Sequence, residues 1–274
     1  MSNNKDSLGD RMKNYENVTR NYLTRKLPVI IRIDGKAFHS FTRGLKRPFD
    51  DILVKSMQDT MKYLCENIQG CILGYTQSDE ITLVLVDYQN RDSCAWFDNN
   101  IQKMASVSAS MATMAFNRAF HSNVMRESKA LYTDDLTDKE IDYINALEKA
   151  MYKGAMFDSR VFTLPKDEVI NCLIWRQQDA TRNSIQSVGQ ANFSHKQLQN
   201  KSCKDIQDML MLEKNINWND FPTTLKRGSC CIQEPYVFQP APESEPIIRF
   251  KWVIDNEIPI FTQDRDYINK LIFI

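Results

Sequence analysis

The stretch at residues 27–33 constrains this chain more than any other. It is short, apolar and rich in β-branched side chains, with Val29, Ile30, Ile31 and Ile33 in near succession. Such a run reads as a buried strand. It stops at Asp34-Gly35. A helix then opens on the N-terminal acids Asp50 and Asp51. Its apolar residues Val54, Met57, Met61, Leu64 and Ile68 recur at helical spacing, so one face packs on a core. Strands at 71–75 and 81–86 follow, joined by the polar Gln77-Ser78-Asp79-Glu80, which predicts an antiparallel hairpin. The order strand, helix, strand–turn–strand, helix, then more strand implies an α+β chain. Its core is a split βαβ antiparallel sheet, ferredoxin-like, with helices packed on one side.

The remaining segments read less sharply. Residues 8–23 form a polar, amphipathic helix. Residues 99–120 form a long helix rich in Ala, Ser and Met, closely packed and largely buried, with Met104, Met111 and Met114 as core rather than ligands. A charged helix spans 134–152 and a short strand 161–164. Another helix starts at Asp167 and runs through Trp175, a packed aromatic. Residues 187–217 are Gln-, Asn- and Lys-rich, which predicts short helices and loops. Strands at 228–238 and 247–254 flank a Pro-rich loop.

Charge and cysteine usage narrow the function classes. Lys plus Arg and Asp plus Glu are equal at 35 each. A neutral chain is not one that coats nucleic acid unspecifically, because backbone binding needs surplus positive charge. Local basic clusters (Arg43, Lys46 and Arg47; Arg25 and Lys26; Lys226 and Arg227) become a footprint only if they share a face. The seven cysteines are scattered, without a Cys-x-x-Cys pair, and read as reduced thiols of a cytoplasmic protein. No apolar run has the ~20 residues of a membrane helix, and the polar start of the chain shows no secretory signal.

The carboxylates carry the chemistry. Asp34 ends the first strand, and Asp79 and Glu80 sit in the hairpin turn. If that strand lies beside the hairpin, Asp34 and Asp79 meet at one edge. Carboxylates held together need a neutralising partner. Mg²⁺ suits them, being hard and oxygen-seeking. Gly35 fits too, because a residue without Cβ allows close approach of a phosphate. Asp-Gly and Ser-Asp-Glu are also ordinary turn material. Spacing therefore leads to a phosphate-handling metal site and names no substrate.

The strings themselves go further. Arg32-Ile-Asp-Gly-Lys-Ala-Phe-His39 and Gly74-Tyr-Thr-Gln-Ser-Asp-Glu80 resemble the two metal motifs of the tRNA-His guanylyltransferase superfamily. Met156-Phe-Asp-Ser-Arg160, Trp175-Arg-Gln-Gln-Asp179, Asn215-Ile-Asn-Trp-Asn219 and Lys226-Arg-Gly228 follow in that family's order. The resemblance implies a palm-like catalytic core over 1–135. It implies an extension over 136–274 that completes the same globular unit and contributes to RNA binding. It also implies two Mg²⁺ ions on Asp34, Asp79 and the Gly35 carbonyl, with Glu80 supporting catalysis. Asp34, Gly35, Lys36, Ala37, Phe38, His39, Ser78 and Asp79 would bind the nucleoside triphosphate, either ATP or GTP. Arg160, Arg176, Asn183, Asn215 and Lys226 would contact RNA. A tRNA substrate and a homotetramer are implied as well.

One departure selects a branch. Where the eukaryotic enzymes carry His-x-Asn-Asn, this chain has Thr181-Arg182-Asn183-Ser184. It is similar in this to Thg1-like proteins, which repair 5′-truncated tRNAs by templated addition in the 3′-to-5′ direction. Guanylate addition to tRNA-His is the alternative. A nucleotide cyclase and a non-catalytic RNA-binding protein are more distant ones.

Overall fold

The computed structural model describes residues 7–131, 136–239, 243 and 245–273. Its centre is a six-stranded antiparallel sheet in the order β4-β1-β3-β2-β5-β6. These strands are β1 (Val29–Gly35), β2 (Cys71–Gln77), β3 (Glu80–Leu85), β4 (Phe157–Thr163), β5 (Ser229–Phe238) and β6 (Ile247–Asp255). β1, α3 (Asp51–Asn67) and β2 make the split βαβ unit, with β3 filling the slot between the two strands. Asp50 caps α3 by accepting a hydrogen bond from the Leu53 N–H at 3.0 Å.

Strand alternation decides where β1 puts its side chains. Val29, Ile31 and Ile33 join the core under α3 and α4 (Ile101–Leu131). Ile30 joins a second core on the opposite face, with Val169, Ile170 and Leu173 of α6 (Lys166–Asn192) and Ile268 and Ile272 of α10 (Asp266–Ile272). Each fully buried isoleucine contributes about 1.5–3 kcal/mol. Helices therefore cover both faces of the sheet, whereas the sequence predicts one. The α+β class and the antiparallel sheet stand as expected. The second cover was missed because the docking of α6 and α10 on the sheet is tertiary, and α6 also runs far beyond Trp175. Its C-terminal half carries Ile185 and Val188 into a third core with Ile206, Leu210 and Trp218, and that packing overrides the polar composition.

Other elements shift in similar ways. The N-terminal helix α1 (Ser7–Asn17) ends before Leu23 and buries no residue. α4 is longer than 99–120 and buries one stripe, including Met104, Ser108, Ala112 and Phe116, while Lys103, Arg118 and His121 face solvent. Met111 and Met114 are half-buried at that border. The charged helix is α5 (Asp138–Lys153), opened by a Thr137–Glu140 capping box; Asp134, its expected start, lies outside the described residues, as does part of the 239–246 loop. β4 starts at Phe157 rather than Val161, so the Phe-Asp-Ser-Arg string is strand, not lead-in. Between α6 and β5 lie the short α7 (His195–Leu198), α8 (Cys203–Lys214) and α9 (Thr223–Arg227). Among the described residues no helix is long and apolar enough to cross a membrane.

Candidate active site

The C-terminal end of β1 gathers the acids. Asp34 faces Glu80 of β3 on one side and Asp158 of β4 on the other. Residues directly opposite in an antiparallel sheet share a face, so three carboxylates stand in one row. Asp79 completes the group from the β2–β3 turn. Its carbonyl accepts a hydrogen bond from the Gly35 N–H at 3.1 Å, which ties the turn to the end of β1. Ser78, in the left-handed region at φ 50°, makes the turn tight enough for this. Its hydroxyl donates to Asp79 Oδ1 at 3.1 Å. A non-glycine residue there costs on the order of 1 kcal/mol or more, and such strain recurs at Ala37, at φ 53°.

The electrostatics agree with the geometry. Burial pushes the Asp79 carboxyl above its usual range, and the nearby Asp34 charge pushes the same way against the Ser78 hydrogen bond. Burial also raises Glu80, with Arg176 and Arg32 pulling it down. Glu80 is an ion-pair partner: its Oε1 lies 3.2 Å from the Arg176 Nε, close but not aligned as a hydrogen bond. Arg176 also binds Asp179, which pairs in turn with Arg182. Asp34 and Asp79 have no such cationic partner among the ion pairs of the described residues.

Those two acids fit one class of ion. A pair of carboxylates completed by water, backbone carbonyl and substrate phosphates is what Mg²⁺ ordinarily uses.

The phosphate-binding candidates follow directly. Gly35 leads into α2 (Phe38–Phe41) through exposed Lys36 and Ala37. A Cβ on Gly35 would lie 2.2 Å from the Phe38 ring, so only glycine lets the chain fold back here. The Lys36 N–H donates to Met156 O at 2.8 Å. His39 is exposed, not a core residue. Phe38 needs correction as a nucleotide contact. Its side chain is buried, with its ring 5.1 to 5.5 Å from those of Phe41, Phe116 and Phe157, so only its backbone can face a ligand.

Beside the hairpin turn opens a cleft of about 270 Å³. Gln77, Ser78, Lys46, Arg47, Asn183 and Lys226 are among the residues that line it. Two of the sequence's basic clusters meet here. Lys46 is anchored because its N–H donates to Asp50 Oδ2 at 3.1 Å. Tyr143 donates to the same oxygen at 2.8 Å. The sequence reading omitted Asp158 and the 42–50 loop as site elements. Asp158 lay within a recognised string, but only sheet register shows it opposite Asp34.

The expected RNA contacts separate. Arg160 is exposed on β4 and 3.7 Å from Asp158. Asn183 and Lys226 line the cleft, and the Lys226 ammonium also donates to Asn219 O at 2.6 Å. Arg176 is corrected: its side chain is 5% exposed and held by Glu80 and Asp179, which leaves it unable to reach RNA. Asn215 serves backbone geometry, capping α8 in the left-handed conformation. In the same string Trp218 is buried and donates its indole N–H to Ser184 Oγ at 3.0 Å. Trp175 is the opposite of the packed aromatic expected, at 52% exposure.

Comparison with known proteins places this geometry. Residues 9–165 match the model of the family described as Thg1, tRNAHis guanylyltransferase. The chain belongs to the tRNA-His guanylyltransferase (Thg1) family. It is thereby a member of a nucleotidyltransferase family. A bacterial tRNA(His) guanylyltransferase (Thg1)-like protein in complex with ATP is 46% identical, with a TM-score of 0.79 over 97% of this chain and 99% of that one. A second such structure, in complex with GTP, is 42% identical with a TM-score of 0.76 over 98% and 100%. Among curated relatives, a probable tRNA(His) guanylyltransferase of Dictyostelium discoideum is 26% identical over 78% of each chain. The matched residues 9–165 include both β1 and the β2–β3 turn.

Proposed function

We propose that this chain adds nucleotides to the 5′ end of a tRNA in the 3′-to-5′ direction, copying the opposite strand. The observation that carries the reading is the acidic group at the end of β1, where Asp34 faces Glu80 and the Gly35 N–H holds the Asp79 carbonyl, next to a cleft lined by Gln77 and Ser78. Likeness to Thg1-like proteins solved with ATP and with GTP supports ATP as activator and nucleoside triphosphates as substrates. In the first step an oxygen of the RNA 5′-phosphate attacks the α-phosphorus of ATP, and pyrophosphate leaves. In the second, the 3′-hydroxyl of the incoming nucleotide attacks the activated 5′-phosphorus, and AMP leaves.

The residues divide this work. Asp34 and Asp79, with the Gly35 carbonyl, would hold two Mg²⁺ ions, which when bound neutralise the acids and polarise phosphate oxygens. The chain at 35–39 would receive the triphosphate, where Lys36 and His39 are exposed. The cleft would receive phosphates of the RNA, with Lys46, Arg47 and Lys226 favouring negative charge there. Positioning and charge neutralisation dominate phosphoryl transfer, so little else is asked of the protein. A neutral monomer binds tRNA best as a multimer whose basic patches add, which is why we take the active form to be a homotetramer.

Templated repair is favoured over guanylation of tRNA-His by Thr181 and Ser184. Ser184 is buried against Trp218, so its position serves packing here and no polar amide is presented. The test supplies a tRNA lacking its first nucleotide, ATP and all four triphosphates, with the opposing base varied. Addition that follows the opposing base is expected. Guanylate added regardless of that base, and only with a histidine anticodon, would replace this reading with the second one.

A further inference from the structure

Trp175 is unlike the other tryptophans. Trp96 and Trp218 are buried and Trp252 packs on the core, yet half of the Trp175 indole meets solvent on α6. An exposed indole is usually tolerated where it has a partner to meet. This one is also held still. The Arg176 guanidinium lies 4.0 Å from the ring centroid, and Arg176 is itself fixed by Glu80 and Asp179. The ring therefore keeps its place relative to Glu80, the neighbour of Asp79.

Its surroundings are cationic. Arg32 lies 5.7 Å from the ring centroid, and its Nε is buried without a hydrogen-bond partner. Arg160 stands opposite Arg32 across β1 and β4. Asp158 lies 3.7 Å from Arg160 and Glu80 feels the Arg32 charge, so these cations are partly neutralised and an RNA phosphate would compete with those two acids for them. A flat aromatic ring among guanidinium groups is the means by which proteins grip unpaired nucleotides: bases stack on the ring and phosphates meet the cations.

We propose that the solvent-facing part of the Trp175 indole stacks on a nucleobase at the 5′ end of the RNA substrate. Arg176 acts as a positioning residue, fixing that stack relative to the carboxylates. The proposal deepens the function given above and rests on RNA being the substrate.

The test uses the full-length protein with Trp175→Leu, Trp175→Gln and Trp175→Phe. Two quantities are read: quenching of tryptophan emission, and KM and kcat for nucleotide addition. The ligands are a 5′-monophosphorylated RNA hairpin with an unpaired end, and ATP or GTP alone. The RNA should quench wild-type emission by a component missing from all three variants, and the mononucleotides should not produce that component. Leu and Gln should raise the KM for RNA roughly tenfold, with kcat and the KM for ATP changed less than about twofold. Phe should restore most of the RNA affinity. An unchanged KM for RNA in both Leu and Gln variants that melt normally would overturn the proposal. So would quenching of Trp175 by ATP alone, which would give the ring to the free nucleotide. If the wild type adds no nucleotide to any RNA, the functional reading fails, while the quenching arm still decides the fate of Trp175. Gln, at home on an exposed helix position, covers the case in which Leu unfolds.

Discussion

The two ends of β1 carry acids with opposite fates. Near its start, Asp87 is buried and fully engaged. Arg25 Nε donates to it at 2.6 Å, the Lys26 N–H donates to it at 2.8 Å, and the Lys26 ammonium donates to the Asp87 carbonyl at 2.7 Å. Arg25 reaches Asp98 as well, and these contacts raise its own pKa, the Asp87 hydrogen bond most. At the other end, Asp34 faces two more carboxylates and forms no ion pair with a cation among the described residues. A saturated cluster stabilises the fold and has little capacity left for a ligand. An acidic cluster left short of positive charge is a liability to the fold, and a bound cation removes it. The Arg25–Lys26 cluster, equal on paper to the others, is thereby withdrawn from any RNA footprint.

This contrast can be broken by substitution. The largest effect is expected from Asp34→Asn and Asp79→Asn. Each should lower nucleotide addition by a factor on the order of 10³ or more, with the melting temperature unchanged or raised because repulsion is relieved. A melting temperature that falls by several degrees with activity retained would reverse the assignment. Chelation with EDTA should abolish addition in the wild type and return it on adding Mg²⁺. Mg²⁺ should raise the wild-type melting temperature and leave that of the double Asn variant unmoved.

Asp87→Ala tests the other end. It strands hydrogen-bond donors on Arg25 and Lys26, and should cost about 2 kcal/mol of stability, discounted because Arg25 is partly exposed. kcat should stay within about twofold of wild type; a lost activity in a folded variant would show that this end is not merely structural. Gly35→Ala should cost on the order of 1–3 kcal/mol by pushing the Phe38 ring, and should weaken triphosphate binding beyond its effect on stability. Smallest of all, Ser78→Gly should relieve about 1 kcal/mol of backbone strain, partly offset by the freedom glycine adds to the unfolded chain. A slower enzyme with equal or better stability would show that the strain belongs to function.

The local structure around the candidate acids was largely legible before the fold was known. Asp34, Asp79 and Glu80 end strands or sit in a turn, and strand ends and turns are written in local residue chemistry. The errors fall where distant segments meet. Arg176 lies in a motif and carries a charge that suits RNA, yet the docking of α6 on the sheet places it against Glu80. Trp175, its neighbour, is apolar by type, yet helix phase turns it outward. Asp158 gains meaning only from pairing of β4 with β1.

By itself the sequence determined the local grammar of this protein: a buried β-branched strand stopped by Asp-Gly, an Asp-capped helix, a hairpin bend of Ser and Asp, and the family those strings announce. These depend on interactions a few residues long. The tertiary structure alone decided which charges were neutralised. The same Asp side chain becomes a strut at position 87 and, among the described residues, an acid without an ion pair at position 34, according to what other segments bring within about 4 Å, the range over which an opposite charge sets the state of a carboxylate.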